Sequence, residues 1–213
     1  MTNYHGAIFD LDGVLVDTAR YHYLAWKQLA EQLTIPFSAE DNERLKGVSR
    51  VKSLDILLSL GNKHYTEKER EHFMEQKNKV YVHYIEQMDE TEILPGVVEL
   101  LKQLKHKNIK IALGSASKNS GIILKKTGLR HYFDAIVDGN DVSRAKPDPE
   151  VFLLGAKKLG IPAGQCMVFE DAKAGIAAAK HAGMLAIGVG TKSNLPNADR
   201  LVESLEEIEL SEL

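Results

Sequence analysis

An α/β fold, with a doubly wound parallel sheet and an inserted α-helical cap, is predicted by three features of the 213-residue sequence. From Pro95 onward, short apolar runs alternate with helical patterns, as repeated strand-helix units of a parallel sheet do. Between Thr18 and Met88 the pattern is helical, with no convincing strand. Several apolar runs stop abruptly at chemically versatile polar residues, the arrangement found at the carboxyl ends of strands in open α/β sheets. The division that follows is a core of residues 1–17 and 89–213 and a cap of residues 18–88.

The first apolar run, Gly6 to Phe9, suits a buried strand and ends at Asp10 and Asp12, with Gly13, Asp17 and Thr18 behind them. An i, i+2 spacing sets two carboxylates on one side of an extended chain, where they repel unless a proton or cation lies between them. A divalent metal is the simplest answer, although Asp-Gly alone is also ordinary turn chemistry. Tyr21, Trp26, Leu29 and Leu33 mark a first helix, which Pro36 and Ser38 break. Helical stretches follow at Ala39 to Leu45, Val51 to Leu60 and Thr66 to Met88, the last with Glu67, Lys68, Glu69, Arg70 and Glu71 on a solvated face. The chain returns at Ile93-Leu94-Pro95-Gly96, so the block is a candidate lid over the first strand's end.

In the core, a helical face of Val97, Val98, Leu100, Leu101 and Leu104 precedes the strand Ile109 to Leu113 and a helix from about Gly121 to Lys126. The strand Ala135 to Val137 leads to Lys146-Pro147-Asp148-Pro149 and a helix over Glu150 to Leu159. Met167-Val168-Phe169 ends at Glu170 and Asp171, a helix spans Ala174 to Ala182, and Leu185 to Val189 is a further strand. A final helix is expected near Ser204 to Leu210.

A formal net charge of -3 argues against a nucleic-acid partner bound chiefly through phosphates. The single Cys166 opens the apolar run Cys166-Met167-Val168-Phe169 and reads as a buried structural thiol, in keeping with a reducing compartment. The start Met1-Thr2-Asn3-Tyr4-His5 lacks signal-peptide character, and no run approaches the roughly 20 apolar residues that span a bilayer. The expectation is a cytoplasmic monomer with neither membrane nor nucleic-acid partners.

Asp10 with Asp12, Ser115, and Glu170 with Asp171 close three apolar runs, and Lys146 joins them from a proline-held loop. Strand ends of a parallel sheet share one edge, so these residues can meet in one site. Acids, a hydroxyl and a cation suit a phosphate bound through a metal: the carboxylates hold Mg2+, while Ser115, nearby backbone N–H groups and Lys146 take the phosphoryl oxygens. Taken singly, Ser115 could cap a helix, Lys146 could be a surface lysine and Glu170-Asp171 could open a helix. Their joint placement favours the site.

In order along nearly the whole chain, Asp10-x-Asp12-Gly-x-x-x-Asp17, Ser115, Lys146-Pro147 and Glu170-Asp171 resemble the four motifs of the haloacid dehalogenase (HAD) superfamily, whose core is Rossmann-like. His22-Tyr23-Leu24-Ala25-Trp26-Lys27, Leu45-Lys46-Gly47-Val48-Ser49-Arg50 and Lys77-Asn78, with Ser115-Ala116-Ser117-Lys118-Asn119, resemble its β-phosphoglucomutase family. The resemblance implies an Asp10 nucleophile that forms an aspartyl-phosphate, and Asp12 as general acid and base that also offers its backbone carbonyl to Mg2+. Glu170 and Asp171 would complete a site for one Mg2+ per subunit. It further implies sugar-phosphate substrates, β-D-glucose 1-phosphate and β-D-glucose 6-phosphate, with glucose 1,6-bisphosphate as activating phosphoryl donor.

A mutase needs a second phosphate site, and the planar guanidinium of Arg50 suits it, with Ser117, Lys118 and Asn119 helping from the core. His22 and Trp26, four apart on one helical face, would line the sugar pocket near a hinge at Asp17 and Thr18, or else pack a core. Lys46, Gly47, Val48, Ser49, Ser53, Lys77 and Ala116 complete the implied substrate-binding set; Lys77 taken alone reads as a solvated helix charge. Two other functions fit the same residues: a capped sugar-phosphate phosphatase and a non-catalytic phospho-sugar sensor.

Overall fold

The computed structural model describes residues 4–45 and 48–210. After β1 (Gly6–Phe9) come four helices, α1 (Ala19–Gln32), α2 (Ala39–Glu43), α3 (Arg50–Leu60) and α4 (Glu67–Ile85). The chain then runs through α5 (Val97–His106), β2 (Lys110–Gly114), α6 (Ser120–Lys126), β3 (Ala135–Val137), α7 (Glu150–Leu159), β4 (Cys166–Glu170), α8 (Lys173–His181), β5 (Leu185–Val189) and β6 (Arg200–Val202). All six strands pair in parallel in the order β3-β2-β1-β4-β5-β6. The winding direction reverses at β1, and ligands of open α/β sheets bind outside the strand ends at such a reversal.

The side chains of β1 alternate between two apolar layers, as the period of a strand requires. Ala7 and Phe9 pack with Val97, Leu101 and Leu104 of α5 and with Ile123 and Leu124 of α6, while Ile8 packs with Phe152 and Ala156 of α7 and Ile176 and Ala179 of α8. Both faces of the sheet are covered, which explains why the central strands read as unbroken apolar runs. Phe9 is in register with Leu113 and Phe169, and its ring stacks on Phe169 with centroids 4.5 Å apart. The residues that follow, Asp10 and Glu170, therefore stand side by side at the carboxyl edge of the sheet.

Three of the four inserted helices, α2 to α4, begin where short polar side chains satisfy free N–H groups. Ser38 with Asp41 and Thr66 with Glu69 form reciprocal capping boxes on α2 and α4, and the Ser49 side chain accepts from the Lys52 N–H on α3. Trp26, Leu29, Leu54, Leu57 and Leu58 form the insertion's own core. Ala25, Tyr81 and Ile85 instead join the core beside the sheet. The two connecting segments are tied together: Val16 bridges Ile93, and the Leu94 N–H donates to the Leu15 carbonyl at 3.0 Å. Glu92 accepts from the Tyr21 hydroxyl at 2.6 Å and pairs with Arg20. Among the described residues, no helix is long and apolar enough to cross a membrane.

Two features differ from the sequence reading. Arg200–Val202 adds a sixth strand along β5, too short and too exposed to carry a strand pattern. The expected final helix is a single 3-10 turn, Leu205–Glu207, after which Ile208 runs extended. Leu205 and Leu210 are both buried. Five residues apart on an α-helix they would point to different faces, so a turn followed by extended chain buries both where a helix could not.

Gly96 starts α5 with φ +79°, and a Cβ there would lie 2.3 Å from the backbone nitrogen of Glu206. Gly96→Ala therefore meets both an unfavourable left-handed backbone and a backbone collision, and is expected to cost about 2 kcal/mol or more. Urea unfolding checks this, and an unchanged midpoint would contradict the close packing of α5 on the C-terminal turn.

Candidate active site

The strand ends converge as their register requires. Asp10, Glu170 and Asp171 each offer a carboxylate oxygen, and these oxygens lie within 4.8 Å of one another. Lys146 enters from the loop before α7, donating from Nζ to Asp10 Oδ1 at 2.6 Å and to Glu170 Oε2 at 2.7 Å. Its ammonium also lies 4.7 Å above the Phe152 ring. The Lys146-Pro147 peptide bond is cis. Glu170 Oε1 accepts from the Ala172 N–H at 3.1 Å, so both oxygens of this buried acid are engaged. Gly13, at φ +78°, lets the loop after β1 close on Asp171, because a Cβ there would lie 2.1 Å from Asp171 Oδ2.

Burial alone would lower Lys146, but the charges of Asp10 and Glu170 outweigh it and hold its proton more firmly than usual. Burial raises both Glu170 and Asp171, and the neighbouring carboxylates raise them further, an effect that Lys146 offsets only in part. Three clustered acids sharing one ammonium are a hard, oxygen-only donor set with charge to spare. That set fits a hard divalent cation such as Mg2+.

The Asp12 carboxylate lies outside this cluster, which corrects the expectation that Asp10 and Asp12 share a cation through their side chains. The strand ends at Phe9, and Gly13 N–H donating to the Val16 carbonyl at 2.8 Å bends the chain, so the extended geometry behind that expectation is lost. Asp12 instead accepts from the Thr18 hydroxyl and lies 3.9 Å from His22 Nε2. Burial, then the charge of Asp10, pushes its carboxyl up to about 7, with Thr18 and two lysines opposing. The 31% of its side chain left open admits water that screens part of this.

From the insertion, Lys77 Nζ sits 2.8 Å from His22 Nδ1 and lies over the rings of Trp26 and Tyr81 at 4.9 and 4.7 Å. Lys77 is only 3% exposed, so it is no solvated helix charge. Burial, then the charge of Arg50, pushes its amine down to about 7. Burial and both neighbouring cations hold His22 well below the ordinary histidine value, leaving a neutral imidazole. Its ring stacks on Tyr81 with centroids 4.1 Å apart, and the Tyr81 hydroxyl donates to Thr18 Oγ1 at 3.4 Å. Trp26 belongs to the insertion's core and also turns its ring to Lys77. Asp17 is exposed and its carboxylate accepts from the Ala19 N–H at 3.1 Å, while Thr18 is fully buried.

A second polar centre lies between insertion and core. Asn78 Oδ1 accepts from an Arg50 guanidinium nitrogen at 2.8 Å and from Asn119 Nδ2 at 2.9 Å. The loop after β2 is self-braced: Ser117 N–H donates to Ser115 Oγ at 3.1 Å and Asn119 N–H to Ser117 Oγ at 3.2 Å. Ser115 thus caps no helix, since α6 begins at Ser120 without a side-chain cap. Ala116 and Lys118 on this loop are exposed. Ser53 is buried and donates to the Ser49 carbonyl at 3.1 Å, and Val48 is half-buried. Lys46 and Gly47 lie outside the described residues.

Two residues of these centres were absent from the sequence-derived set. Tyr81 stands four residues after Lys77, the spacing of one helical face, and Asn78 adjoins Lys77 in the stretch already noted.

A family model described as haloacid dehalogenase-like hydrolase matches residues 4–183. A β-phosphoglucomutase from Bacillus subtilis (strain 168) is 45% identical over 95% of this chain and 91% of its own length. The crystal structure of a β-phosphoglucomutase from Clostridium difficile superimposes with a TM-score of 0.94 at 43% identity, covering 98% of this chain and 95% of the other. A phosphorylated carbohydrates phosphatase from Thermotoga maritima is 34% identical over 92% of this chain and 89% of its own length. Family model, overall likeness and the order of the acidic strand ends agree that this chain belongs to the haloacid dehalogenase-like hydrolase family.

Proposed function

We propose that this chain is a Mg2+-dependent β-phosphoglucomutase that interconverts β-D-glucose 1-phosphate and β-D-glucose 6-phosphate through β-glucose 1,6-bisphosphate. The observation that carries this reading is the presence of two polar centres: the acids with Lys146 at the strand ends, and Arg50 joined through Asn78 to Asn119. One suits phosphoryl transfer to a carboxylate. The other offers hydrogen-bond donors to a second phosphate on the same sugar. The 45% identity to the Bacillus subtilis enzyme supports the same reaction.

In this reading residues 18–88 are a cap domain over a core of residues 1–17 and 89–213, hinged at Asp17 and Thr18. The carboxylates of Asp10, Glu170 and Asp171, with the backbone carbonyl of Asp12, would hold one Mg2+. When bound, the metal supplies the positive charge that lets an anionic phosphate approach an anionic nucleophile. Asp10 attacks a phosphorus of glucose 1,6-bisphosphate, forming the bond to its carboxylate oxygen as the bond to the sugar oxygen breaks. Asp12 gives its proton to that departing oxygen. In the return step a sugar hydroxyl yields its proton to Asp12 and attacks the phosphorus, releasing Asp10. A carboxyl near 7 can act as acid in one step and base in the other.

Lys146 and Ser115 bind phosphoryl oxygens, and His22, Trp26 and Lys77 line the sugar side of the pocket. The aspartyl-phosphate has to be kept from water while the bisphosphate turns round, which is the work of the cap. The enzyme acts as a cytoplasmic monomer on small sugar phosphates, without nucleic-acid or membrane partners. A capped sugar-phosphate phosphatase is the second reading, favoured by the 34% identity to the Thermotoga maritima phosphatase.

Phosphorus NMR of the Mg2+-loaded protein with β-glucose 1-phosphate and a trace of glucose 1,6-bisphosphate separates the two. Glucose 6-phosphate without matching inorganic phosphate is the expected result; free phosphate as main product would establish the phosphatase. Asp10→Asn is expected to abolish phosphoenzyme formation and to lower turnover by roughly 10⁴-fold or more, and retained turnover would remove Asp10 as nucleophile. Arg50→Ala should lower mutase flux by about 10- to 100-fold and p-nitrophenyl phosphate hydrolysis by much less. Equal losses would count against a second-phosphate role. Chelation by EDTA should stop turnover, and Mg2+ should restore it; activity that survives chelation would contradict the metal assignment.

A further inference from the structure

We propose that Asn78 is a positioning residue of the second-phosphate site, its side-chain oxygen fixing Arg50 of the insertion against Asn119 of the core. This inference rests on the mutase reading above. The guanidinium of Arg50 can only donate hydrogen bonds, so the Asn78 atom at 2.8 Å from it is the carbonyl oxygen. The Asn119 atom at 2.9 Å from the same oxygen is then its amide nitrogen. One acceptor therefore orients two donors that come from different parts of the chain: Arg50 opens α3, and Asn119 immediately precedes α6.

The consequence is preorganisation. A free arginine side chain samples many rotamers, and holding it in one of them before the phosphate arrives removes part of the ordering cost of binding. Arg50 keeps further N–H groups for phosphate oxygens, and Asn119 keeps its second amide hydrogen. Asn78 itself presents an amide nitrogen next to the same space. The neutrality of the amide also matters: a carboxylate would accept the same two hydrogen bonds but would set a negative charge beside an incoming phosphate. Because the oxygen spans insertion and core, the donors come together only when those two parts are together, and loss of the link exposes the aspartyl-phosphate to water.

The test compares wild type, Arg50→Ala, Asn78→Ala and Asn78→Asp as Mg2+-loaded full-length enzymes. Mutase kcat and KM for β-glucose 1-phosphate, the ratio of inorganic phosphate to glucose 6-phosphate, and hydrolysis of p-nitrophenyl phosphate are measured for each. Asn78→Ala is expected to raise KM about tenfold and to increase the share of inorganic phosphate, with ester hydrolysis falling less than mutase flux. Asn78→Asp, nearly the same shape and able to keep both hydrogen bonds, is expected to raise KM at least as much through its charge. A purely structural asparagine predicts the opposite, with Asn78→Asp behaving as wild type, and that result overturns the proposal. Wild-type KM and product ratio in Asn78→Ala also overturn it while Arg50→Ala remains selectively impaired. If Arg50→Ala loses mutase and ester hydrolysis equally, the second-phosphate reading itself fails and takes this proposal with it.

Discussion

Repulsion among three buried or half-buried carboxylates, relieved in part by a single lysine, is the constraint to which the rest of this molecule answers. Asp10, Glu170 and Asp171 meet because β1 and β4 are adjacent and in register, and because Phe9 stacks on Phe169 one residue before the acids begin. Lys146 sits between two of them, with the Phe152 ring beneath its ammonium. Removing one partner from so buried a pair leaves an unmatched charge, typically at a cost of about 3–5 kcal/mol. Charge concentrated in this way is poor for stability and good for chemistry. The closely packed aromatic layer below the acids supplies the rigidity that holds them together.

The insertion brings charge of the opposite sign and then moderates it. Arg50 and Lys77 both come from it, and the low dielectric around Lys77 draws its amine down to about 7 while His22 stays neutral. A cluster of three full positive charges here would be as hard to bury as the acids opposite. Hydrogen bonds between neutral or easily neutralised groups, stacked on Tyr81 and Trp26, give the pocket polarity with less of that cost.

Much of this was legible in the sequence, for a local reason. An apolar run that stops at Asp10, or at Glu170 and Asp171, announces both a buried strand and the functional group at its end, and the alternation after Pro95 announces the parallel sheet. What was hidden depends on contacts between distant residues. Asp12-Gly13 marks a turn, but nothing local reveals that it sends the Asp12 carboxylate to Thr18 rather than to Asp10. Lys77 lies on a helix rich in exposed charges, and its burial depends on partners distant in sequence, His22 and Trp26 of α1 among them. Asn78 has no chemical distinction until Arg50 and Asn119 arrive on either side. At the carboxyl terminus, burial of both Leu205 and Leu210 overrode a helical pattern that the sequence alone favours.

The connection between the two parts of the molecule has a consequence for its ancestry. Val16 bridges Ile93, Leu94 donates to Leu15, and Glu92 is grasped by Tyr21 and Arg20, so the inserted helices leave and return through one narrow neck. To the sheet, most of what lies beyond that neck is a closed loop, apart from Ala25, Tyr81 and Ile85, which pack into the core beside it. The entropy of closing such a loop grows only logarithmically with its length, by about 0.6 kcal/mol for each doubling. A longer, shorter or differently folded segment could therefore replace the four helices with little penalty to the strands beneath, provided that it refills the apolar space of Ala25, Tyr81 and Ile85. Selection could refashion the helices while leaving the acids at the strand ends where they are, and relatives with varied insertions on one sheet are what such a neck would be expected to produce.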